Sequence, residues 1–186
     1  MDNSNNKAVF FDRDGVINTL VKRKDGRLTS PWHASEFVFL PYVLESFMMV
    51  RQKGFKTFIV TNQPGIEDGD MNEDNLYEIN MMLHEKLSID EIDCALNKNS
   101  PDYKPNNGMI EKNIIRFNLD RSKSYIIGDR WKDIVPGYNS KITTIYIGDE
   151  NNYNPVDKYK HIKPDYQCED ILEACKLIME LDNARV

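Results

Sequence analysis

Residues Val9-Phe10-Phe11-Asp12-Arg13-Asp14-Gly15 carry an apolar run into two carboxylates one residue apart and then a glycine. In an α/β protein the carboxyl end of a buried strand opens onto the ligand crevice, so Asp12 and Asp14 belong where a substrate binds. The chain turns at Gly15, which lets both carboxylates converge on one cation. A second apolar run, Phe58-Ile59-Val60, ends in Thr61-Asn62-Gln63 before Pro64-Gly65. There a hydroxyl, an amide and loop N–H groups offer donors to an oxygen-rich anion without adding charge. In Asp102-Tyr103-Lys104-Pro105, Pro105 is expected to open a helix, with Lys104 just ahead of it. An ammonium in that place can hold a phosphoryl oxygen or neutralise a carboxylate. A third apolar run, Tyr125-Ile126-Ile127, ends in Gly128-Asp129-Arg130, with Asp133 following. One helical turn puts Asp129 and Asp133 on the same side of a helix start, close enough to bind or support one metal. A nucleophile candidate, a hydroxyl, a lysine and an acidic pair, each at a strand end, point to phosphate chemistry.

The elements that must position these groups follow from the hydrophobic pattern. Strand-like runs fall at Ala8–Phe11, Lys56–Val60, Asp93–Leu96, Ser124–Ile127 and Thr143–Ile147. Helical patterns over Tyr42–Lys53, Glu73–Leu87, Gly108–Phe117 and Arg130–Tyr138 separate them, and a last one covers Glu169–Leu181. Strict alternation predicts an α/β fold: a Rossmann-like, three-layer arrangement of a parallel sheet with helices on both faces. Continuous apolar strands fit a sheet buried on both sides. The segment Thr19–Phe39 lacks helical period and reads as a hairpin-like flap over the crevice, turning at Asp25-Gly26. It is the only cap expected. Residues 149–163 read as surface loop and residues 1–6 as a flexible N-terminus, leaving residues 7–186 as one domain.

Lys plus Arg number 24 against 30 Asp plus Glu, a net charge of −6, and no basic run marks a nucleic-acid surface. No apolar stretch reaches membrane-spanning length, and the N-terminal residues are polar. Cys94, Cys168 and Cys175 show no paired spacing; the last two fall in the late helical pattern, as reduced core thiols of a cytoplasmic protein would. A monomer or small homo-oligomer is expected. His84 reads as a helix-surface or boundary residue rather than a ligand.

On these motifs the chain resembles the haloacid dehalogenase superfamily of phosphohydrolases, through Asp12-Arg13-Asp14-Gly15, Thr61-Asn62, Lys104, and Gly128-Asp129 with Asp133. It is similar in particular to the branch that dephosphorylates heptose bisphosphate or histidinol phosphate, through Phe11–Asn18, Val60–Gln63, Pro64-Gly65-Ile66 and Lys104-Pro105. The resemblance implies that Asp12 attacks phosphorus to form an aspartyl phosphate, while Asp14 serves as general acid and then base. It implies Mg²⁺ held by Asp12, the Asp14 main-chain oxygen and Asp129, with Asp133 behind them. Thr61, Asn62 and Lys104 would hold the transferring phosphoryl group, with Arg13, Tyr103 and Arg130 as further contacts to the substrate.

Two departures from the branch bear on substrate. Between Ile92 and Lys104 only Cys94 remains of its zinc loop, so no zinc is expected. Tyr103 stands where heptose-bisphosphate relatives typically carry an arginine, which removes a bidentate phosphate contact. The flap then becomes the expected substrate reader, through Arg23, Lys24, Arg27, Trp32 and His33. The sequence thus points to a Mg²⁺-dependent phosphomonoesterase for a small phosphorylated metabolite, a sugar phosphate or heptose bisphosphate first. The alternatives are another small ester (histidinol phosphate, an amino-alcohol phosphate or a surface-glycan precursor) or an inert phosphate-binding module.

Overall fold

The structure, a computed structural model, describes residues 6–185; most of the expected flexible N-terminus lies outside them. Six strands form one parallel sheet: β1 (Ala8–Phe11), β4 (Lys56–Asn62), β5 (Glu91–Ala95), β6 (Ser124–Gly128), β7 (Thr143–Ile147) and β8 (Tyr166–Cys168). Their order is β5-β4-β1-β6-β7-β8, which sets β1 between β4 and β6. The strands β2 (Val21–Lys22) and β3 (Leu28–Thr29) pair antiparallel as the expected hairpin, closed by Gly26 with its φ of 85°.

Alternation along β1 serves both faces, because successive side chains point to opposite sides of the sheet. Val9 and Phe11 join one apolar cluster with α1 (Val43–Gln52), α3 (Glu73–Lys86) and α6 (Ile171–Asn183). Ala8 and Phe10 join another, with α4 (Gly108–Phe117). The remaining helices are the single turn α2 (Gly65–Asp68) and α5 (Trp131–Asn139). The starts of α3 and α6 are capped: the side chain of Asn72 accepts from Asn75 N at 2.9 Å, and that of Asp170 from Glu173 N at 2.9 Å.

Two expectations are corrected. Cys168 ends β8 rather than lying in the last helix, which begins only at Ile171 after the Asp170 cap; three residues are too short a run to stand out from a helical pattern. Helix α4 starts at Gly108, beyond Pro105, because the intervening turn folds back on Pro101 through the Gly108 N–H. The loop 149–163 contains two short 3₁₀ turns, Glu150–Asn152 and Asp157–Tyr159. His84 is exposed on α3, as read. No helix among the described residues is long and apolar enough to cross a membrane.

Candidate active site

The carboxyl ends of β1, β4 and β6 converge. Asp12 continues β1, its N–H donating to Ile127 O at 2.9 Å, and only 7% of it is exposed. Lys104 reaches it from the loop before α4, and the ammonium Nζ donates to Asp12 Oδ1 at 2.6 Å, Asp133 Oδ1 at 2.5 Å and Val60 O at 2.8 Å. All three of its N–H donors are thereby occupied, and the charge is fixed in place. Burial works against that charge, yet the facing Asp12 and Asp133 carboxylates raise the Lys104 pKa above its ordinary value.

Two glycines allow the acidic groups this close approach. Gly15 has φ 97°, and a Cβ on it would stand 2.2 Å from Asp129 Oδ2. A Cβ on Gly128 would stand 2.1 Å from Asp133 Cβ. Neither position admits another residue without displacing a carboxylate. Ligand atoms of Asp12, Asp129 and Asp133 lie within 4.8 Å of one another. Asp133 uses Oδ2 to accept from Arg130 N at 3.0 Å at the start of α5, so both its oxygens have partners. Asp129 Oδ1 is buried with no partner among the described residues. Burial, then the nearby carboxylates, push Asp129 up to about 8; burial, then Asp133, push Asp12 up to about 7 against the opposing Lys104. Such a cluster has the hard oxygen donors and the uncompensated negative charge that fit a divalent cation such as Mg²⁺.

Asp14 is held from behind. Arg13, wholly buried, donates from Nη2 to both its oxygens at 3.0 and 3.1 Å; Asn18 Nδ2 donates at 3.0 Å and Gln63 Nε2 at 2.6 Å. Arg13 therefore lies beneath Asp14 and does not line the crevice, unlike the substrate contact expected from the sequence. Gln63 Nε2 also donates to Thr61 Oγ1 at 2.9 Å, leaving the threonine O–H free to donate outward. The motif alone assigns Gln63 no role. Its position nonetheless carries a signal, since residues two apart on an extended chain share a face.

Asp12, Asp14, Thr61, Asn62, Tyr103, Lys104, Arg130 and Asp133 line one cavity of about 270 Å³, which the flap borders with Arg27 and Trp32 among others. Arg23, Lys24 and His33 are absent from its lining. Arg23 instead pairs with Glu36 at 2.6 Å inside the flap, because Glu36 follows in the next short turn. Arg130 is exposed, 4.0 Å from Asp129. Asp68 and Asp70, acidic residues not singled out in the sequence, also face the cavity.

The family model described as HAD-hydrolase-like matches residues 103–174. A D-glycero-alpha-D-manno-heptose-1,7-bisphosphate 7-phosphatase of Burkholderia mallei is 32% identical over 164 residues, which span 78% of this chain and 82% of that protein. The chain belongs to the HAD-type phosphatases. A D-glycero-D-manno-heptose-1,7-bisphosphate 7-phosphatase of Chlorobaculum tepidum is 29% identical over 188 residues, covering 90% of this chain and 92% of that one. The HAD fold is shared with the D,D-heptose 1,7-bisphosphate phosphatase of B. bronchiseptica, a structure complexed with magnesium and phosphate: TM-score 0.79, 20% identity, 94% of this chain and 99% of that one.

Proposed function

We propose that this HAD phosphatase hydrolyses the phosphate monoester of a small sugar, heptose 1,7-bisphosphate being the first choice, with Mg²⁺ and through an aspartyl phosphate on Asp12. The observation that carries the reading is the placement of Asp12: at the tip of the central strand β1, with Lys104 at 2.6 Å, in one cavity with Thr61 and with Asp129 within 4.8 Å. The names of the relatives support the choice of sugar. Asp12 and Asp129, with the Asp14 main-chain oxygen, would hold Mg²⁺, and Asp133 would keep Lys104 and the helix start in register. The ion supplies positive charge beside the phosphoryl oxygens.

In the first step a carboxylate oxygen of Asp12 forms a bond to phosphorus while the bond from phosphorus to the sugar oxygen breaks, and Asp14 gives that oxygen its proton. In the second, water attacks the phosphorus, gives a proton to Asp14, and releases Asp12 and inorganic phosphate. Thr61 O–H and the loop N–H groups after it donate to the transferring group, whose charge is met by donors already in place. The short flap leaves water a path to the acyl phosphate, which favours hydrolysis over transfer to a second substrate.

A second reading has one observation behind it: the carboxylate of Asp70, in the cavity beside an Asp68 already paired with Lys98, suits the ammonium of an amino-alcohol phosphate such as histidinol phosphate. The deciding experiment is phosphate release from a panel of sugar phosphates, sugar bisphosphates and histidinol phosphate with Mg²⁺, alongside the Asp12→Asn variant. Release by the parent with none by the variant supports the site; equal release by both overturns it.

The same reading has the protein folding without zinc, in the cytoplasm, as a monomer or small homo-oligomer. Cys94 supports the first part, since its thiol is raised by burial and its Sγ accepts from Asn80 at 3.8 Å. Elemental analysis of the purified protein showing about one zinc per chain, lost on Cys94→Ser, would overturn it.

A further inference from the structure

We infer that Trp32 is the residue that reads the sugar portion of the substrate, and that Arg23 is a positioning residue acting through it. The inference rests on the sugar phosphatase reading above and assigns specificity within that site.

The flap is built around one ion pair. Arg23 donates to both carboxylate oxygens of Glu36 at 2.6 and 3.0 Å, to Thr29 Oγ1 at 2.7 Å and to Ser30 O at 2.9 Å, and its side chain is 12% exposed. A guanidinium engaged in this way has little left to offer a phosphate. What it does instead is cover a ring: its central carbon lies 3.5 Å from the centroid of Trp32. The same Glu36 accepts from Trp32 N at 2.8 Å, so one carboxylate holds both partners of the stack. Rotation of the indole would break the stack without any compensating contact, and the flap therefore presents Trp32 in one orientation.

That orientation matters because of what lies against the ring. A Cβ on Gly65 would stand 3.7 Å from indole Cδ1 and Nε1, so Trp32 bridges the flap to the first residue of α2, just beyond Thr61–Gln63. Trp32, Leu20, Leu28 and Pro64 are apolar lining of the same cavity that holds Asp12 and Lys104. The indole N–H has no hydrogen-bond partner among the described residues and remains a free donor beside the cavity. A sugar presents C–H surface and hydroxyl acceptors side by side, and an indole with an open N–H meets both. Phosphate oxygens and the small acyl group of an acyl phosphate present no such surface.

The test compares heptose 1,7-bisphosphate with acetyl phosphate, whose acyl group is too small to reach the flap, in Trp32→Ala, Trp32→Phe, Arg23→Ala, Arg23→Lys and the Trp32→Ala/Arg23→Ala double variant. Trp32→Ala should lower kcat/KM for the sugar at least about tenfold, chiefly through KM, and change that for acetyl phosphate by less than about threefold. Trp32→Phe keeps the apolar area, folds without the indole N–H, and should fall between. Arg23→Ala should lose in the same direction, Arg23→Lys less, and the double variant no more than Trp32→Ala alone, because Arg23 acts through the ring. Trp131 and Trp32 are the two tryptophans. With Trp131→Phe as background, Arg23→Ala should shift Trp32 emission and raise its quenching by acrylamide.

Equal losses on both substrates, no loss on the sugar, or additive losses in the double variant overturn the inference. If another sugar phosphate is preferred over the heptose, the comparison is made with that compound. A parent enzyme that turns over acetyl phosphate but prefers no sugar phosphate sinks this inference alone. A parent inactive on every ester with Mg²⁺ sinks the phosphatase reading beneath it as well.

Discussion

Asn62 and Lys104 exchange two hydrogen bonds of 2.9 Å, the asparagine Nδ2 donating to Lys104 O and its Oδ1 accepting from Lys104 N. The residue next to Thr61 thus grips the backbone that delivers the ammonium to Asp12. The pair joins the end of β4 to the loop before α4, which are otherwise linked here through the Lys104 side chain itself.

Asn62→Ala should therefore act on Lys104 rather than on the substrate. Each hydrogen bond of this kind is worth about 0.5–1.5 kcal/mol, so a loss of about tenfold in kcat/KM, similar for sugar and small esters, is expected. Steady-state kinetics on both esters checks it. A loss confined to KM for the sugar would make Asn62 a substrate ligand instead.

Asp12→Asn should leave the fold intact and abolish turnover, because it keeps the shape while removing the anionic nucleophile. Activity within about tenfold of the parent, a barrier change of only ~1.4 kcal/mol, would contradict a covalent role for Asp12. Mass spectrometry of the parent trapped during turnover, showing phosphate on Asp12, supplies the positive evidence.

The alternation of apolar runs and helical patterns located the five longer strands and the five longer helices, because a parallel sheet buried on both faces writes itself as continuous hydrophobic stretches. The hairpin at Asp25-Gly26 was equally legible, since a turn of that geometry asks for glycine. What the sequence hid was direction. Arg23 reads as a free cation until Glu36 is folded back onto it, and Arg13 reads as a substrate contact until the chain turns beneath Asp14. Glu36 lies 13 residues beyond Arg23, and Arg13 meets the neighbouring Asp14 only because of the way the chain turns there; neither spacing nor composition encodes either pairing.

Mg²⁺ should stabilise the protein more at high pH than at low. Asp12 and Asp129 are pushed up to about 7 and about 8, so between roughly pH 4 and 8 the metal-free folded state keeps protons that the unfolded chain has released. Its stability therefore falls as pH rises through that window, and below it the two groups contribute nothing. Lys104, raised from an already high value, stays charged throughout. Divalent cations compete with those protons, so millimolar Mg²⁺ should raise Tm clearly at pH 8 and little at pH 5. Equal shifts at both pH values would mean that the ion binds elsewhere.

Gln63 joins the two halves of the phosphoryl site by donating from one amide nitrogen to Asp14 Oδ2 at 2.6 Å and to Thr61 Oγ1 at 2.9 Å. Its own carbonyl oxygen is buried without a partner among the described residues. Replacement by leucine would remove two hydrogen bonds and one unsatisfied acceptor together, terms of opposite sign and about 1–3 kcal/mol each, so stability should change little. Activity should not be spared. Without the amide, Asp14 keeps only Arg13 and Asn18, and the Thr61 hydroxyl, no longer obliged to accept from Gln63, is free to turn its proton away from the crevice. General acid and base help is worth about 10²–10⁴-fold, and partial misplacement of Asp14 should cost about 10–10² in kcat while KM moves little. Gln63→Glu should be worse than Gln63→Leu, because it sets a second carboxylate against Asp14 within a buried site. Thermal melts and kinetics of both variants decide the matter: parent-like kcat in Gln63→Leu, or a loss of activity that only tracks a lowered Tm, would remove Gln63 from any positioning role.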